Sequence, residues 1–445
     1  MARLLQDQTG QPAGESMSAP TAFRTVILAS VLGTIVEWYD FLIYGTAAAL
    51  VFGKLFFPTA DPAVGAIASL GAYAVGFVAR PLGGAVFGHF GDRLGRKTML
   101  MLTMLIMGAG TFLIGCLPTY ASIGIWAPVL LVLLRLLQGI GIGGEWGGAV
   151  LMVVEHAPGR RRGLFGSLVQ LGYPLGLMAA TGAFALMQFL PQQDVLLWGW
   201  RVPFLLSALL VGVALFVRLR LAETPAFAGL RAAGATARVP LLEVLIRHRR
   251  AFLIAIGLKV SEIAWVSLLT LFCIAYVSGT LKLPGKVIIN GIVLAGAVEL
   301  FTMPLAGWLS DRVGRRPIYI AGTLFSIAAA FPLFWLLDTR DPLIIALTVA
   351  VAISFGQGIM FCLHASFMPE LFGTRVRYSG ISMGFQIGAG LSGGFTPVIA
   401  ASLLARVGAT WPVSVYLMVL AVVSLVSVLA TRETSSDDLT VAFVE

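Results

Sequence analysis

Runs of about 20 mostly apolar residues follow one another along almost the whole chain, and nothing else constrains its fold as strongly. A helix that crosses the hydrocarbon of a bilayer needs about that many residues. We count about twelve such runs, at 23–45, 64–88, 98–117, 123–154, 163–189, 201–220, 251–280, 287–309, 317–337, 343–368, 378–404 and 411–431. The composition agrees with this reading. The 445 residues are 58% hydrophobic and 11% charged, with a mean hydropathy of +0.93, whereas a soluble domain keeps about a quarter of its residues charged. The expected fold is an all-α membrane protein of twelve transmembrane helices. Several runs exceed one bilayer thickness, which implies tilt or kinks. Pro81, Pro174, Pro304 and Pro397 lie inside them, where neighbouring helices can satisfy the freed backbone groups.

The formal charge of +9 sits in short loops between the runs, so it marks membrane orientation rather than nucleic-acid binding. Loops carrying Arg93, Arg96 and Lys97, then Arg160–Arg162, then Arg312, Arg315 and Arg316, then Arg375 and Arg377 alternate with loops of little charge. The long 221–250 loop joins the basic set. With twelve spans, both termini are then expected in the cytoplasm. Cys116, Cys273 and Cys362 all fall in apolar runs, a spacing that suggests neither disulfides nor a zinc site. The first run carries Glu37 and Asp40, which a cleavable signal core would avoid, so it reads as a retained helix.

The chain repeats itself. Gly88-His-Phe-Gly-Asp92-Arg93-Leu-Gly95-Arg96-Lys97 returns 219 residues later as Gly307-Trp-Leu-Ser-Asp311-Arg312-Val-Gly314-Arg315-Arg316. The same shift lays Gln138-Gly139 on Gln357-Gly358, Asp40 on Lys259, Arg80 on Glu299, Arg135 on Ser354 and Glu145 on His364. A shift of 216 lays Gln170-Leu-Gly172 on Gln386-Ile-Gly388. Two pseudo-symmetric six-helix bundles follow, at 23–220 and 251–431. The 221–250 segment is a cytoplasmic linker, 1–22 a disordered cytoplasmic N-terminus and 432–445 a cytoplasmic tail. Transporters of this plan hold substrate near mid-membrane between the halves.

The repeated loop suits a gate. Gly88 and Gly95 permit close helix approach and a tight turn. Asp92 can pair with cations at the helix ends, in one conformation and not another. The gating set is Gly88, Asp92, Arg93, Gly95, Arg96, Lys97, Asp311, Arg312, Arg315 and Arg316, against plain positive-inside anchoring.

The pattern G-x-x-x-D-R-x-G-R-[KR] and the Arg135-Leu-Leu-Gln138-Gly139 run resemble signatures of the major facilitator superfamily. Glu37-Trp38-Tyr39-Asp40-Phe41, Ala79-Arg80-Pro81-Leu82-Gly83-Gly84, Gly143-Gly144-Glu145-Trp146-Gly147-Gly148 and Trp198-Gly199-Trp200-Arg201-Val202-Pro203-Phe204 look like its metabolite:proton symporter family. Within that family, Tyr39–Gly45, Lys97–Thr103 and Gly393–Pro397 are most like the shikimate permease branch. Glu37 stands where that permease is expected to carry Asp, and the eleventh helix differs between Gln386 and Gly393. The resemblance implies proton-coupled uptake of shikimate, α-ketoglutarate or a related organic acid through a bacterial inner membrane.

Charges within spans are costly and usually functional. Glu37 and Asp40 share a helix face, and Arg135 sits mid-run. These three form the expected proton-coupling set, with Asp40 taking up the proton as Arg135 approaches or recedes. A static buried ion pair is the competing picture. Arg80 lies about 12 Å of helix rise from Gly88. Arg80 and Lys259 offer a cationic field for a carboxylate, and Glu262 and Glu299 balance them or relay protons. Gln138, Gln170, Gln386 and Tyr44 complete the expected substrate-binding set, against interhelical bonding for Gln170 and Gln386. Lone His364 reads as a core residue and Glu145 as structural.

No phosphate loop, metal-ligand spacing or nucleophile elbow occurs, so neither an enzyme nor any cofactor or metal is expected. The expected partners are a small organic acid, protons and the lipid bilayer, with no nucleic acid, and the protein is expected to be a monomer. The rival functions are an exporter or antiporter of organic acids or drugs and a transporter-like sensor. A partial antiporter-like run, Gly172-Tyr173-Pro174-Leu175-Gly176, is the only hint of export.

Overall fold

The computed structural model describes residues 19–58, 62–187, 189–437 and 439. Most of the expected disordered N-terminus and the end of the expected tail lie outside the described residues. Twelve long helices run in order: α1 Phe23–Ala47, α2 Pro62–Leu94, α3 Arg96–Cys116, α4 Trp126–Val154, α5 Gly159–Met187, α6 Arg201–Leu219, α7 Arg249–Thr280, α8 Lys286–Val313, α9 Arg315–Leu337, α10 Pro342–Glu370, α11 Arg377–Val407 and α12 Trp411–Leu429. Eleven of them are apolar and long enough to cross a membrane, and the 33-residue α2 completes the twelve spans.

The helices form two bundles, α1–α6 and α7–α12, as the repeat implies. Within the first, α4 packs on α2 and α3 and α1 on α5; within the second, α8 packs on α10 and α7 on α11 and α12. The bundles meet where α2 lies on α11 and α5 on α8. A Cβ at Gly88 of α2 would sit 2.7 Å from the Ser379 Cα of α11, and one at Gly307 of α8 would sit 2.5 Å from the Gly163 carbonyl oxygen of α5. Only hydrogen side chains allow that approach.

The repeat is not perfect. Helix α10 widens into a π-helical turn over Ala352–Gly358, whereas α4 is α-helical throughout. Such turns concentrate at functional positions, and this one carries Ser354 and Gln357. Between the bundles, the linker forms two short helices, Pro225–Ala232 and Pro240–Arg247. Thr224 caps the first, its hydroxyl accepting from the Phe227 N–H at 3.3 Å with Pro225 next in line.

Candidate functional site

The loops with the basic repeat lie on one face of the molecule, and there each aspartate of the repeat crosses to the other bundle. Asp92 accepts from the backbone N–H groups of Tyr378 and Ser379, at 3.1 and 2.9 Å, at the start of α11. Asp311 accepts from those of Gly163 and Leu164, both at 2.8 Å, at the start of α5. Each carboxylate therefore satisfies orphan donors at a positive helix end belonging to its counterpart half. Behind them stand two matching clusters. Arg96 lies 3.4 Å from Asp92 and 3.6 Å from Glu155, and Arg315 lies 2.7 Å from Asp311 and 3.3 Å from Glu370. Arg377 of α11 reaches Glu155 at 2.9 Å, another bond between halves. Burial alone would push the Glu155 carboxyl up. The Arg96 and Arg377 guanidiniums and the Thr224 hydroxyl outweigh it and hold the group below 4.5.

Gly95 and Gly314 adopt φ of 119° and 111°, a region that L side chains rarely enter. These turns bring Glu223 onto the N–H groups of Arg96 and Lys97, at 3.1 and 3.3 Å, and Glu433 onto those of Arg315 and Arg316, at 2.8 and 3.1 Å. The remaining members of the gating set divide. Lys97 donates to the Leu219 carbonyl at 3.1 Å and Arg316 to that of Leu429 at 3.3 Å, each within its own half. Arg93 and Arg312 are exposed, with Arg312 over the Trp308 ring at 3.9 Å.

Deeper in the first bundle, Asp40 is buried and accepts from Ser207 at 2.6 Å and Thr111 at 2.8 Å. Gln138 donates to Thr111 at 2.7 Å, and Arg135 donates to Gln138 at 3.2 Å. The Arg135 guanidinium rests over the Tyr44 ring at 4.2 Å, with Phe41 and Tyr73 at 4.9 and 5.0 Å. Space for it exists because residue 76 is glycine: a Cβ there would lie 2.6 Å from the Arg135 Nε. Arg80 stands over Phe41 and Phe77 at 4.2 and 4.5 Å. Among the described residues, no hydrogen-bond partner meets Nε of Arg80, Nε or Nη2 of Arg135, the Tyr44 hydroxyl or one oxygen of Glu37. Glu37 lies within electrostatic reach of Arg80, Arg218 and Glu145. Glu145 accepts from Arg218 at 2.5 Å and Thr103 at 2.6 Å, a brace within the bundle.

In the second bundle, Lys259 and Glu262 form a buried ion pair one helical turn apart. Gln357 donates to Glu262 at 3.2 Å, and His364 Nδ1 lies 3.9 Å from it. Tyr319 lies beside His364 at 3.1 Å. The Lys259 ammonium sits 3.8 Å above the Phe385 ring and within electrostatic reach of Arg80 across the interface. Glu299 is buried, and neither of its oxygens meets a donor among the described residues. The matched glutamines show how the halves diverge. The Gln138 oxygen accepts from Arg135, while the Gln357 oxygen has no partner among the described residues, since Ser354 stands in the place of Arg135.

The other two glutamines tie the bundles together. Gln170 accepts from the Trp146 indole at 3.0 Å and donates to the Phe361 carbonyl of α10 at 2.7 Å. Gln386 of α11 donates to the Ile142 and Gly143 carbonyls of α4, both at 3.4 Å. Trp146 stacks on Phe385 at 3.7 Å across the same seam. Gln170 thus makes its bonds inside the protein, the interhelical alternative, and these contacts floor the polar layer toward the basic face.

Sequence reasoning missed Thr111, Ser207, Glu155, Glu223, Glu370 and Glu433. Hydroxyls in apolar runs carry no distinguishing pattern. The Glu-Thr pairs 223–224 and 433–434, one after each bundle, were a usable signal.

Comparison with known proteins agrees with this architecture. The model of the Major Facilitator Superfamily matches residues 31–386. A shikimate transporter from Escherichia coli (strain K12) is 42% identical over 92% of this chain and 94% of its own. A proline/betaine transporter from Salmonella typhimurium is 38% identical over 93% of this chain and 84% of its own. The solved structure of the proton:xylose symporter XylE bound to 6-bromo-6-deoxy-D-glucose superposes with a TM-score of 0.73 at 16% identity, covering 95% of this chain and 98% of that one, a likeness of fold. With its twelve spans, its paired bundles and full-length relatives that are membrane transporters, the chain belongs to the major facilitator superfamily.

Proposed function

We propose that this transporter takes up a small organic acid, shikimate or a related hydroxy- or dicarboxylate, together with a proton by alternating access. The observation that carries the reading is the pair of buried arginines, Arg80 and Arg135, whose guanidiniums keep donors unbonded among the described residues. Buried donors of this kind favour an anion that offers planar oxygen acceptors. Lys259 adds a third positive charge from the facing bundle, and Tyr44 a hydroxyl. Glu262 and Glu299 are the carboxylates of the same layer. The 42% identity with a shikimate transporter supports a hydroxy acid.

Asp40 is the proposed proton site, with Glu37 beside it on the same helix. Substrate drawing on Arg135 would alter its bond to Gln138 and, through Thr111, the hydroxyl bonds that support the Asp40 carboxylate. The basic face is the proposed cytoplasmic side of a bacterial inner membrane, by the positive-inside rule. The bonds between halves cluster from the Gln170–Gln386 floor to that face, so the state described is closed toward the cytoplasm.

The test is uptake into proteoliposomes with an imposed pH gradient, using labelled shikimate, α-ketoglutarate and glycine betaine. Accumulation of an acid that collapses with a protonophore is expected. Accumulation of betaine alone, or gradient-independent equilibration, rejects the reading.

A further inference from the structure

We propose that the chain's own C-terminal segment plugs the mouth on the basic face, held in a site that both bundles build and that exists only while that mouth is closed. The inference needs two bundles that part, and neither the substrate nor the coupling ion.

The segment has two portions. Glu433 caps α9, and Thr434 donates to Glu370 at 2.6 Å. Both contacts lie inside the second bundle, and Glu223 caps α3 in the same way after the first. Beyond them the tail crosses the seam. The Asp437 carbonyl accepts from Arg162 of α5, in the first bundle, at 2.5 Å. The Leu439 carbonyl accepts from Arg377 of α11 at 3.0 Å and from Thr374 at 2.9 Å. Leu439 is 2% exposed, inside an apolar cluster that includes Val154 of α4 and Phe372 of the second bundle. Residues 435–437 line a cavity of about 720 Å³ together with Arg160 and Arg162 of the first bundle and Asp311 of the second.

Chain geometry makes the site conditional. Two carbonyls two residues apart stay within about 7 Å of each other. They can hold Arg162 and Arg377 together only while the two arginines, one from each bundle, remain close. Arg377 is at the same time bonded to Glu155 of the first bundle. Parting the bundles at this face must therefore release at least one end of the plug. Conversely, a docked plug opposes opening, because its binding favours the closed state alone.

The test uses the full-length chain with Cys116, Cys273 and Cys362 replaced by Ser. Spin labels are placed at Leu94 and Val313, exposed positions one in each bundle. Pulsed electron paramagnetic resonance in nanodiscs without substrate reads the width of the mouth. Truncation after Asp437 is expected to raise the wide-mouth population about threefold or more, and Leu439→Asp to do the same. An unchanged distance distribution in the truncated protein overturns the proposal. Should truncation fail to yield a single monodisperse species, Leu439→Asp decides by the same criterion. Since no transport is measured, a shifted mouth without acid uptake leaves the plug standing and counts only against the proposed substrate.

Discussion

Arg135 and Asp40 do not touch, yet an unbroken chain of hydrogen bonds joins them. Arg135 donates to Gln138, Gln138 to Thr111, and Asp40 accepts from Thr111. A direct ion pair would hold the two charges together. A relay instead lets a small movement of the guanidinium reach the carboxylate through two neutral groups.

Cutting the relay should separate proton coupling from substrate exchange. Gln138→Leu removes both middle bonds, and Asp40→Asn removes the titrating group. Uptake driven by a pH gradient is expected to fall about tenfold in the first, equivalent to about 1.4 kcal/mol, and to be lost in the second. Counterflow exchange should persist in both. Full accumulation by Asp40→Asn would remove Asp40 from the mechanism.

The arginine pair should set affinity. Arg80→Gln removes charge-assisted bonds worth about 1.5–3 kcal/mol, so the apparent KM for the transported acid should rise about 10- to 150-fold. Arg80→Lys should restore little, because an ammonium cannot reproduce the planar donor fork. Transport kinetics in proteoliposomes check both, and recovery by Lys would mean that charge alone suffices.

The motif aspartates should control which face is open. Asp92→Ala leaves the Tyr378 and Ser379 N–H groups without their carboxylate. Labelling of a cysteine placed at Ser379 by a membrane-impermeant maleimide, applied to inside-out vesicles, is expected to speed up about tenfold or more. An unchanged rate would assign Asp92 to anchoring.

Glu433 makes a pH-dependent contribution outside the membrane. Burial would raise its pKa, but the Arg315 and Arg316 N–H groups dominate and hold it below the usual 4.5. A depressed folded-state value means that the stabilisation is complete above the unfolded value and fades as pH falls through the folded one. Glu433→Gln should therefore lower the melting temperature at pH 7, and the gap from the parent should close as the pH falls through the depressed folded-state value. A constant gap across that range contradicts the assignment.

The spans and the repeat were legible because they rest on quantities that add along the chain, apolar length and residue spacing. The charged members of the candidate site were legible for a related reason: Asp40, Arg80, Arg135, Lys259 and Glu299 interrupt apolar runs. Their partners were not. Whether Arg135 meets Asp40 or Gln138 depends on helix rotation and on one missing Cβ at Gly76, which spacing does not encode. The same limit affected Gln170 and Gln386, whose amides look alike in sequence whether they face a cavity or a carbonyl. Thr111 and Ser207 were invisible because a hydroxyl within a span most often bonds its own helix.

Glu223 follows the sixth helix and caps the third, and Glu433 follows the twelfth and caps the ninth. Each bundle thus has its last residues fastened to its own middle. The linker joins two bundles that are each already fastened, and it packs on them through buried Phe227 and Val244. Severed at exposed Gly234, the chain should still yield two fragments that find one another in the membrane.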